Sequence, residues 1–186
     1  MGLIIGIVVL VLVVIIGSFV IKTYNSLVKL RNSVKDQWSQ IDIQLKRRFD
    51  LIPNLVETVK GYAEHEKDTL EKVIKARSNY ENASSHEDAL KADNELTKSI
   101  SKLFALAEAY PDLKANDNFK SLQNDLTETE DKISFARQFY SDIVMKYNNQ
   151  IQVFPNNIVA SLFGFKEEKY FEAKDEERDN VKVSFK

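Results

Sequence analysis

Two histidines are the side chains in this chain whose type best suits metal or acid–base chemistry. His65-Glu66 begins like the zinc-protease motif H-E-x-x-H, in which two histidines one helical turn apart bind the metal. Asp68 and Thr69 follow instead, and the other histidine, His86, shares no obvious site with the first. We interpret His65 and Glu66 as a solvated helical pair and predict no metal site.

Acidic and hydroxyl side chains are plentiful, but their spacing forms no catalytic motif. Glu128, Glu130 and Asp131 cluster on a predicted helix without the Glu-x-x-His motif that a di-iron site in a bundle needs. The sequence holds no G-x-S-x-G elbow, no Ser/His/Asp grouping and no glycine-rich phosphate loop. We therefore predict a protein that is not an enzyme, has no catalytic residue and binds no cofactor.

A basic triplet, Lys46-Arg47-Arg48, is a candidate binding site. It could recognise an anionic partner. Alternatively, one arginine could pair with Asp50 or satisfy the carbonyl groups that end a helix, where cations are favoured. Both interpretations stay open from the sequence. The residues that we assign to a partner-binding end of the domain are Lys46, Arg47, Arg48, Asp50, Pro53 and Asp112.

These candidates follow a strongly apolar stretch, residues 2–21, which contains no charged side chain and stops at Lys22. At about 1.5 Å rise per residue, such a helix is about 30 Å long, the thickness of a bilayer's hydrocarbon core. No basic residue precedes the stretch and no A-x-A-like site follows it. We predict an uncleaved, single-pass transmembrane anchor over residues 1–22.

The charges beside the anchor predict its orientation. Lysine and arginine residues follow the apolar stretch but do not precede it, which favours an N-terminus outside and a cytoplasmic domain at the bacterial inner membrane. Gly2 and Gly6 form a GxxxG pair that could join two anchors into a homo-oligomer. The alternative is two tolerated glycines at a frayed helix end.

Helical periodicity continues past the anchor without a break. The apolar positions recur at steps of three and four residues: Tyr24, Leu27, Leu30, Val34, Trp38, Ile41, Leu45 and Phe49. We expect this first helix to stop near Arg48, because Asp50 is a good N-cap and Pro53 suits the first turn of a second helix. A single helix kinked at Pro53 is the alternative.

The remaining sequence predicts three more helices. Ser84 or Ser85 should cap the third, Pro111 should end it, and residues 112–116 should form a loop. The predicted fold class is all-α, with an N-terminal transmembrane helix that continues into an antiparallel up-and-down four-helix bundle. The bundle domain covers residues 23–173, and the charged segment 174–186 is predicted to be a disordered tail.

Composition excludes some classes of function. The formal net charge of −2 gives no support to nucleic-acid binding. The absence of cysteine excludes disulfides and thiolate metal sites.

A short apolar segment, residues 153–165, follows the fourth predicted helix. Since the fourth helix of an up-and-down bundle returns towards the anchor, this segment should lie near the lipid headgroups, where an amphipathic segment can insert. The alternative is that it plugs the open end of the bundle. The residues that we assign to the membrane interface are Phe154, Leu162, Phe163 and Phe165.

Several motifs together resemble one known family. They are residues 44–56, Val59-Lys60-Gly61-Tyr62-Ala63, His65-Glu66, Tyr110-Pro111 with Leu113, Ala136-Arg137 with Tyr140, and Tyr147-Asn148 through Phe154-Pro155 to Phe163-Gly164-Phe165. This pattern resembles bacterial LemA-family proteins and runs from about Tyr24 to Ala173. The resemblance implies one N-terminal membrane span, an antiparallel helical bundle and a poorly defined biochemical role. A related branch takes part in magnetosome membrane biogenesis. Some members look like lipoproteins, and this chain departs from them because it has no cysteine.

The leading functional hypothesis is a non-enzymatic, membrane-anchored scaffold that binds other proteins or itself at the membrane surface. Its expected partners are membrane lipid, through the anchor, and a protein whose identity the sequence does not reveal. The alternative is an oligomeric membrane-shaping protein that inserts residues 154–165 into the lipid interface.

Overall fold

The computed structural model describes residues 1–170, and every regular element in that range is a helix. The helices are α1 (Gly2–Lys60), α2 (Lys67–Glu81), α3 (His86–Ala107), α4 (Pro111–Ala115), α5 (Asp117–Gln152) and α6 (Asn156–Leu162). The all-helical class is thereby confirmed. The antiparallel four-helix arrangement stays a prediction, and the predicted tail, 174–186, lies outside the described residues.

Helix α1 does not stop near Arg48, so the expected break between two helices is wrong. It continues to Lys60 with Pro53 inside it. Its buried positions keep their helical spacing across the proline, from Phe49 and Ile52 to Leu55 and later residues. Pro53 itself is exposed on this helix. Burial of the apolar face offsets a cost of about 3 kcal/mol for an interior proline.

The chain turns instead just after Lys60. The carbonyl of Val59 accepts backbone hydrogen bonds from the N–H groups of Tyr62, at 3.0 Å, and Ala63, at 2.9 Å, which closes the last turn. The turn cannot be recognised from the apolar pattern, because Val59, Ala63 and Leu70 are all buried. Their spacing looks like that of one continuous helix, although α2 begins only at Lys67.

Two connections are joined by side-chain hydrogen bonds in which Tyr62, Glu66 and Tyr110 of the family-like motifs take part. The hydroxyl of Tyr110 donates to Glu66, at 3.1 Å, and the amide of Asn116 donates to the hydroxyl of Tyr62, at 2.9 Å. The connection between α1 and α2 is therefore tied to the residues that flank α4. Tyr62, Glu66 and Tyr110 of the motifs thus have a structural role, since they join these connections.

Helix α3 begins as predicted and is followed by an extra helix. The Ser85 hydroxyl caps it by accepting a hydrogen bond from the N–H of Asp88, at 3.1 Å. The predicted loop over 112–116 is wrong, because Pro111 opens the short helix α4. Proline suits this first position, since no intrahelical N–H is required there. The side chain of Leu113 then buries completely and holds α4 on the core.

The chain divides into two compact units. One comprises Met1–Ser39 and Ala136–Lys186, and the other comprises Gln40–Phe135. We call them the terminal unit and the central unit. Fully buried side chains of the central unit include Ile41, Leu45, Leu55, Val73, Leu96, Leu103 and Ile133. The buried side chains of the terminal unit include Leu27, Val34, Val144, Tyr147, Ile151, Val159 and Ala160.

Candidate functional site

The N-terminal part of α1 exposes almost all of its apolar side chains. Within residues 1–170, α1 is the one helix whose length and composition would let it cross a membrane. Among residues 1–170 none of its side chains up to Ile16 is buried, and residues such as Leu10, Val13 and Ile16 are each more than half exposed. An unpacked apolar stretch of this length has the properties of a membrane span.

The short helix α6 begins after Pro155 and ends at a glycine. Gly164 has a φ of +71°, a left-handed conformation that glycine adopts without steric cost. The N–H of Gly164 donates to the carbonyl of Ser161, and the N–H of Phe165 donates to the carbonyl of Ala160. These bonds satisfy carbonyl groups that the helix end leaves free. A glycine two residues beyond Leu162 therefore closes the end of α6.

Helix α6 packs against the part of α1 that directly follows the apolar stretch. Thr23, which is buried, donates from its hydroxyl to the amide oxygen of Asn156, at 3.4 Å. The ring of Tyr24 lies 4.8 Å from the ring of Phe163, centroid to centroid. Val159 of α6 is buried in the same unit. This places α6 beside the residues with which a membrane-spanning α1 would leave the bilayer.

The segment after α6 is fastened to α1 and α5. The ring of Phe165 lies 5.7 Å from that of Tyr24, and the guanidinium carbon of Arg31 lies 5.1 Å from the centre of the Phe165 ring. Tyr147 donates from its hydroxyl to the carbonyl of Lys166, at 2.9 Å. Burial, with a smaller contribution from the Glu168 carboxylate, raises the pKa of Tyr147, so its hydroxyl stays protonated and able to donate.

The amide of Asn148 holds the same segment from the next position of α5. It donates to the carbonyl of Glu168, at 2.9 Å, and accepts from the N–H of the same residue, at 3.0 Å. Both backbone polar groups of Glu168 are therefore satisfied by one side chain. Asn148 is buried, and its contact explains why a polar residue occupies an inward position of α5.

One face of this region stays apolar and exposed. The exposed fractions are 75% for Phe154, 60% for Ile158 and 73% for Leu162, and Phe163 is half-exposed. We call Phe154, Ile158, Leu162 and Phe163 the α6 ridge. Sequence reasoning missed Ile158, although its position one helical turn before Leu162 is a usable signal.

The four residues assigned to the membrane interface therefore divide. Phe154 and Leu162 are exposed, Phe163 is half-exposed and also contacts Tyr24, and Phe165 packs against Tyr24 and Arg31. The two sequence-based alternatives, insertion into lipid and packing on the helices, thus apply to different residues of one segment. Contact with lipid stays a prediction for the exposed ones.

The basic triplet lies within α1 and not in a turn. Arg48 is buried, with an exposed fraction of 2%, and its guanidinium contacts the carboxylates of Asp93, at 3.0 Å, and Glu130. Pairing with Asp50 was one of the open alternatives, and Arg48 belongs instead to this cluster, to which α1, α3 and α5 each contribute one residue. Sequence reasoning missed Asp93, although it falls in the apolar stripe of α3, three residues before Leu96.

The other residues assigned to a partner are exposed. Lys46, Arg47, Asp50 and Pro53 lie on the outer side of α1, and Asp112 lies on α4. Residues 46–53 form part of the continuous helix α1 and not the turn between two helices that the sequence predicted. Because Arg48 is committed to an internal ion cluster, it is withdrawn from the partner-binding set, and contact by the other five stays a prediction.

The residues considered for metal or catalytic chemistry are dispersed. His65 and His86 are both exposed, the first between α1 and α2 and the second at the start of α3. Glu128 pairs with Lys132, and Glu130 with Arg48. The Lys132 contact lowers the pKa of Glu128. Among the described residues no group of three His, Asp or Glu side chains could hold a metal ion.

Comparison with known proteins identifies one family. The family model described as the LemA family matches residues 37–185. Magnetosome protein MamQ 2 of Paramagnetospirillum magneticum is 26% identical over 177 residues, an alignment that covers 81% of this chain and 65% of that protein. Protein LemA of Metamycoplasma hominis is 26% identical over 161 residues, covering 86% of this chain and 74% of that protein.

A second magnetosome protein gives a similar result. Magnetosome protein MamQ of Magnetospirillum gryphiswaldense is 25% identical over 177 residues. The chain spans 65% of the length of both magnetosome relatives.

Proposed function

This chain belongs to the LemA family, as its motifs predicted, and from that membership we propose that it is a non-enzymatic, membrane-anchored interaction protein. The observation that carries the proposal is the position of α6. Its ridge is exposed and apolar, and α6 contacts Thr23 and Tyr24, the residues that follow the apolar stretch of α1. Two apolar features, a candidate span and an interfacial ridge, therefore adjoin within the terminal unit.

In this proposal the α6 ridge rests among the lipid headgroups while α1 crosses the bilayer. Full burial of a large apolar side chain is worth about 1.5–3 kcal/mol. Since interfacial burial is partial, the exposed Phe154, Ile158 and Leu162 together supply several kcal/mol at most. That is less than a span contributes, but it fixes the orientation of the terminal unit relative to the membrane.

Fluorescence tests the lipid contact. The chain has no cysteine, so a single introduced cysteine can carry an environment-sensitive dye. We expect dye at Leu162→Cys in the full chain to shift to the blue in lipid nanodiscs, while dye at Ile74→Cys does not. Ile74 is the matched control because it is an exposed apolar residue of the central unit. Equal emission from both sites would contradict the proposal.

Photo-crosslinking tests the interaction role. A photoreactive amino acid at Lys46 or Arg47, both exposed on α1, should give discrete crosslinked species in native membranes. The same amino acid at Phe49, a buried aromatic residue of α1, is the control and should give none with other chains. A chain that stays monomeric and uncrosslinked from both exposed positions would count against partner binding.

A membrane-shaping role is the second candidate. The exposed α6 ridge could act as a wedge, and two relatives carry the name magnetosome protein. If this role holds, the full chain deforms liposomes and Phe154→Ser with Phe163→Ser abolishes the deformation. The control is Ile43→Ser with Ile74→Ser, which changes two exposed apolar residues elsewhere. Deformation that survives loss of both phenylalanines would exclude this role for the ridge.

A further inference from the structure

The central unit contains a basic groove between α2 and α3. Its volume is about 360 Å³, and four lysines line it: Lys72 and Lys75 from α2, and Lys98 and Lys102 from α3. The buried Ala76 and the small Ser99 are also part of the lining, so the groove has room between the lysine stems. We call this feature the α2–α3 groove. It shares no residue with the α6 ridge or with the basic triplet.

The charge of the groove is unusual for this chain. The whole sequence has a net charge of −2, yet the groove combines four lysines with the single acidic residue Glu95. Lys72 and Lys75 are three positions apart and Lys98 and Lys102 four, spacings at which like charges destabilise a helix. Packing and helix formation do not require such pairs.

Several lysines outside the groove are held in ion pairs with carboxylates. Lys91 pairs with Glu87, and Lys132 pairs with Glu128. By contrast, Lys72, Lys75 and Lys102 form no ion pair with any of residues 1–170. The groove thus concentrates exposed positive charge that a negatively charged ligand would neutralise.

The dimensions and polar lining favour a peptide over a compact anion. On α2 the groove runs from Thr69 to Asn79, about 15 Å at 1.5 Å rise per residue, and about five residues of extended chain span that length. The amide of Asn79 donates to Glu95, at 3.2 Å, so the groove also presents a carboxylate. The carboxylate of Glu95 can accept hydrogen bonds from the backbone N–H groups of a peptide, whereas it repels a uniformly negative polyphosphate.

We propose that the α2–α3 groove binds an acid-rich peptide segment of a partner protein. The lysines neutralise the acidic side chains of that segment, and their aliphatic stems and Ala76 contact its apolar parts. This inference rests on the proposed interaction function, for which it names the chemistry of the partner. Such a contact sets association rate and specificity more than affinity, and it weakens as salt rises.

Fluorescence anisotropy of the purified full chain tests the groove. The probe is a labelled peptide of about ten residues in which Glu alternates with Ser, long enough to span the groove. The groove variant carries Lys72→Gln, Lys75→Gln and Lys102→Gln. The control variant carries Lys91→Gln, Lys120→Gln and Lys132→Gln, which remove the same charge from exposed or half-exposed sites of the same unit. Each variant's melting temperature is measured alongside.

We expect the groove variant to bind the peptide about tenfold more weakly than the wild type at low salt, and the control variant to bind within about twofold. Equal weakening in both variants would overturn the proposal, because only net charge would then matter. Displacement of the peptide by inorganic polyphosphate at a lower concentration than by unlabelled peptide would overturn it in favour of a non-peptide anion.

Stability gives an independent readout. Since the groove lysines repel one another, the groove variant should melt no lower than the wild type at low salt. A lower melting temperature in the groove variant alone would assign the lysines a structural role and overturn the inference. The peptide assay uses purified protein, so its failure is distinguishable from failure of the crosslinking test of partner binding in membranes.

Discussion

Removal of the buried guanidinium of Arg48 should destabilise the central unit strongly. Arg48→Met keeps most of the side-chain volume but removes the guanidinium that lies 3.0 Å from the fully buried carboxylate of Asp93. Removing one partner of a buried ion pair costs about 3–5 kcal/mol, because the remaining charge stays uncompensated. Glu130 contributes little to this cost, since its side chain is 39% exposed and can be hydrated.

The expected loss converts into a measurable melting shift. For a domain of this size, 1 kcal/mol corresponds to about 2–4 °C, so Arg48→Met should lower the melting temperature by about 6–20 °C. The assay is thermal unfolding of the full chain in detergent micelles, followed by circular dichroism. The neighbouring Arg47→Met is the control, because Arg47 is exposed and its replacement should change stability by at most about 0.5 kcal/mol.

A double variant separates loss of charge compensation from loss of packing. Arg48→Met with Asp93→Val replaces both charges by apolar groups, and such replacements are often neutral or stabilising. We expect the double variant to recover most of the loss. If Arg48→Met melts within about 2 °C of the wild type, less than 1 kcal/mol, the buried ion cluster does not hold α1 and α3 together and our reasoning is refuted.

Three further predictions concern the backbone and one tyrosine. Pro53→Ala should raise the melting temperature, because alanine restores a hydrogen bond inside a continuous α1; a lower melting temperature would mean that Pro53 starts a separate helix. Gly164→Ala should lower the free energy of unfolding by about 1–2 kcal/mol, because the φ of Gly164 is +71°. Gly61→Ala is the control and should lower it much less, because Gly61 has no positive φ. Equal shifts in melting temperature would contradict this prediction. Burial and the Asp42 carboxylate raise the pKa of Tyr80 above its usual value, and its hydroxyl donates to Asp42. The stability that this hydrogen bond provides is fully present below the unfolded pKa of about 10 and is lost as pH rises above it. The stability of the wild type relative to Tyr80→Phe should therefore be lower at about pH 11 than at about pH 8. A difference that stays constant between these two pH values would refute the assignment.

Periodicity predicted the elements better than their ends. The apolar spacing of α5 and the Ser85 cap of α3 follow from local rules and are present in the structure. The end of α1 does not follow from them, because Pro53 and Asp50 carry strong local signals for a break. Burial of the residues around Pro53 overrides those signals, and burial depends on packing partners that no local pattern reveals.

The candidate site was predictable in part for a similar reason. Composition alone marks Phe154, Leu162 and Phe163 as apolar residues near a helix end. It does not reveal that the rings of Phe163 and Phe165 both contact Tyr24 or that Arg31 lies over Phe165, because these partners lie more than a hundred residues earlier in the chain. The burial of Arg48 likewise depends on Asp93, a partner from another helix.

The central claim is that the α6 ridge contacts lipid beside the point where α1 leaves the membrane. A nitroxide scan over residues 153–163 of the full chain in nanodiscs tests it most directly, by comparing collisions with lipid-soluble oxygen and a water-soluble nickel complex. We predict that oxygen collisions dominate at Phe154, Ile158 and Leu162, and that the nickel complex dominates at Asn157 and Ser161, which are exposed polar positions of α6. Uniform access of the nickel complex at all of these positions would contradict the account.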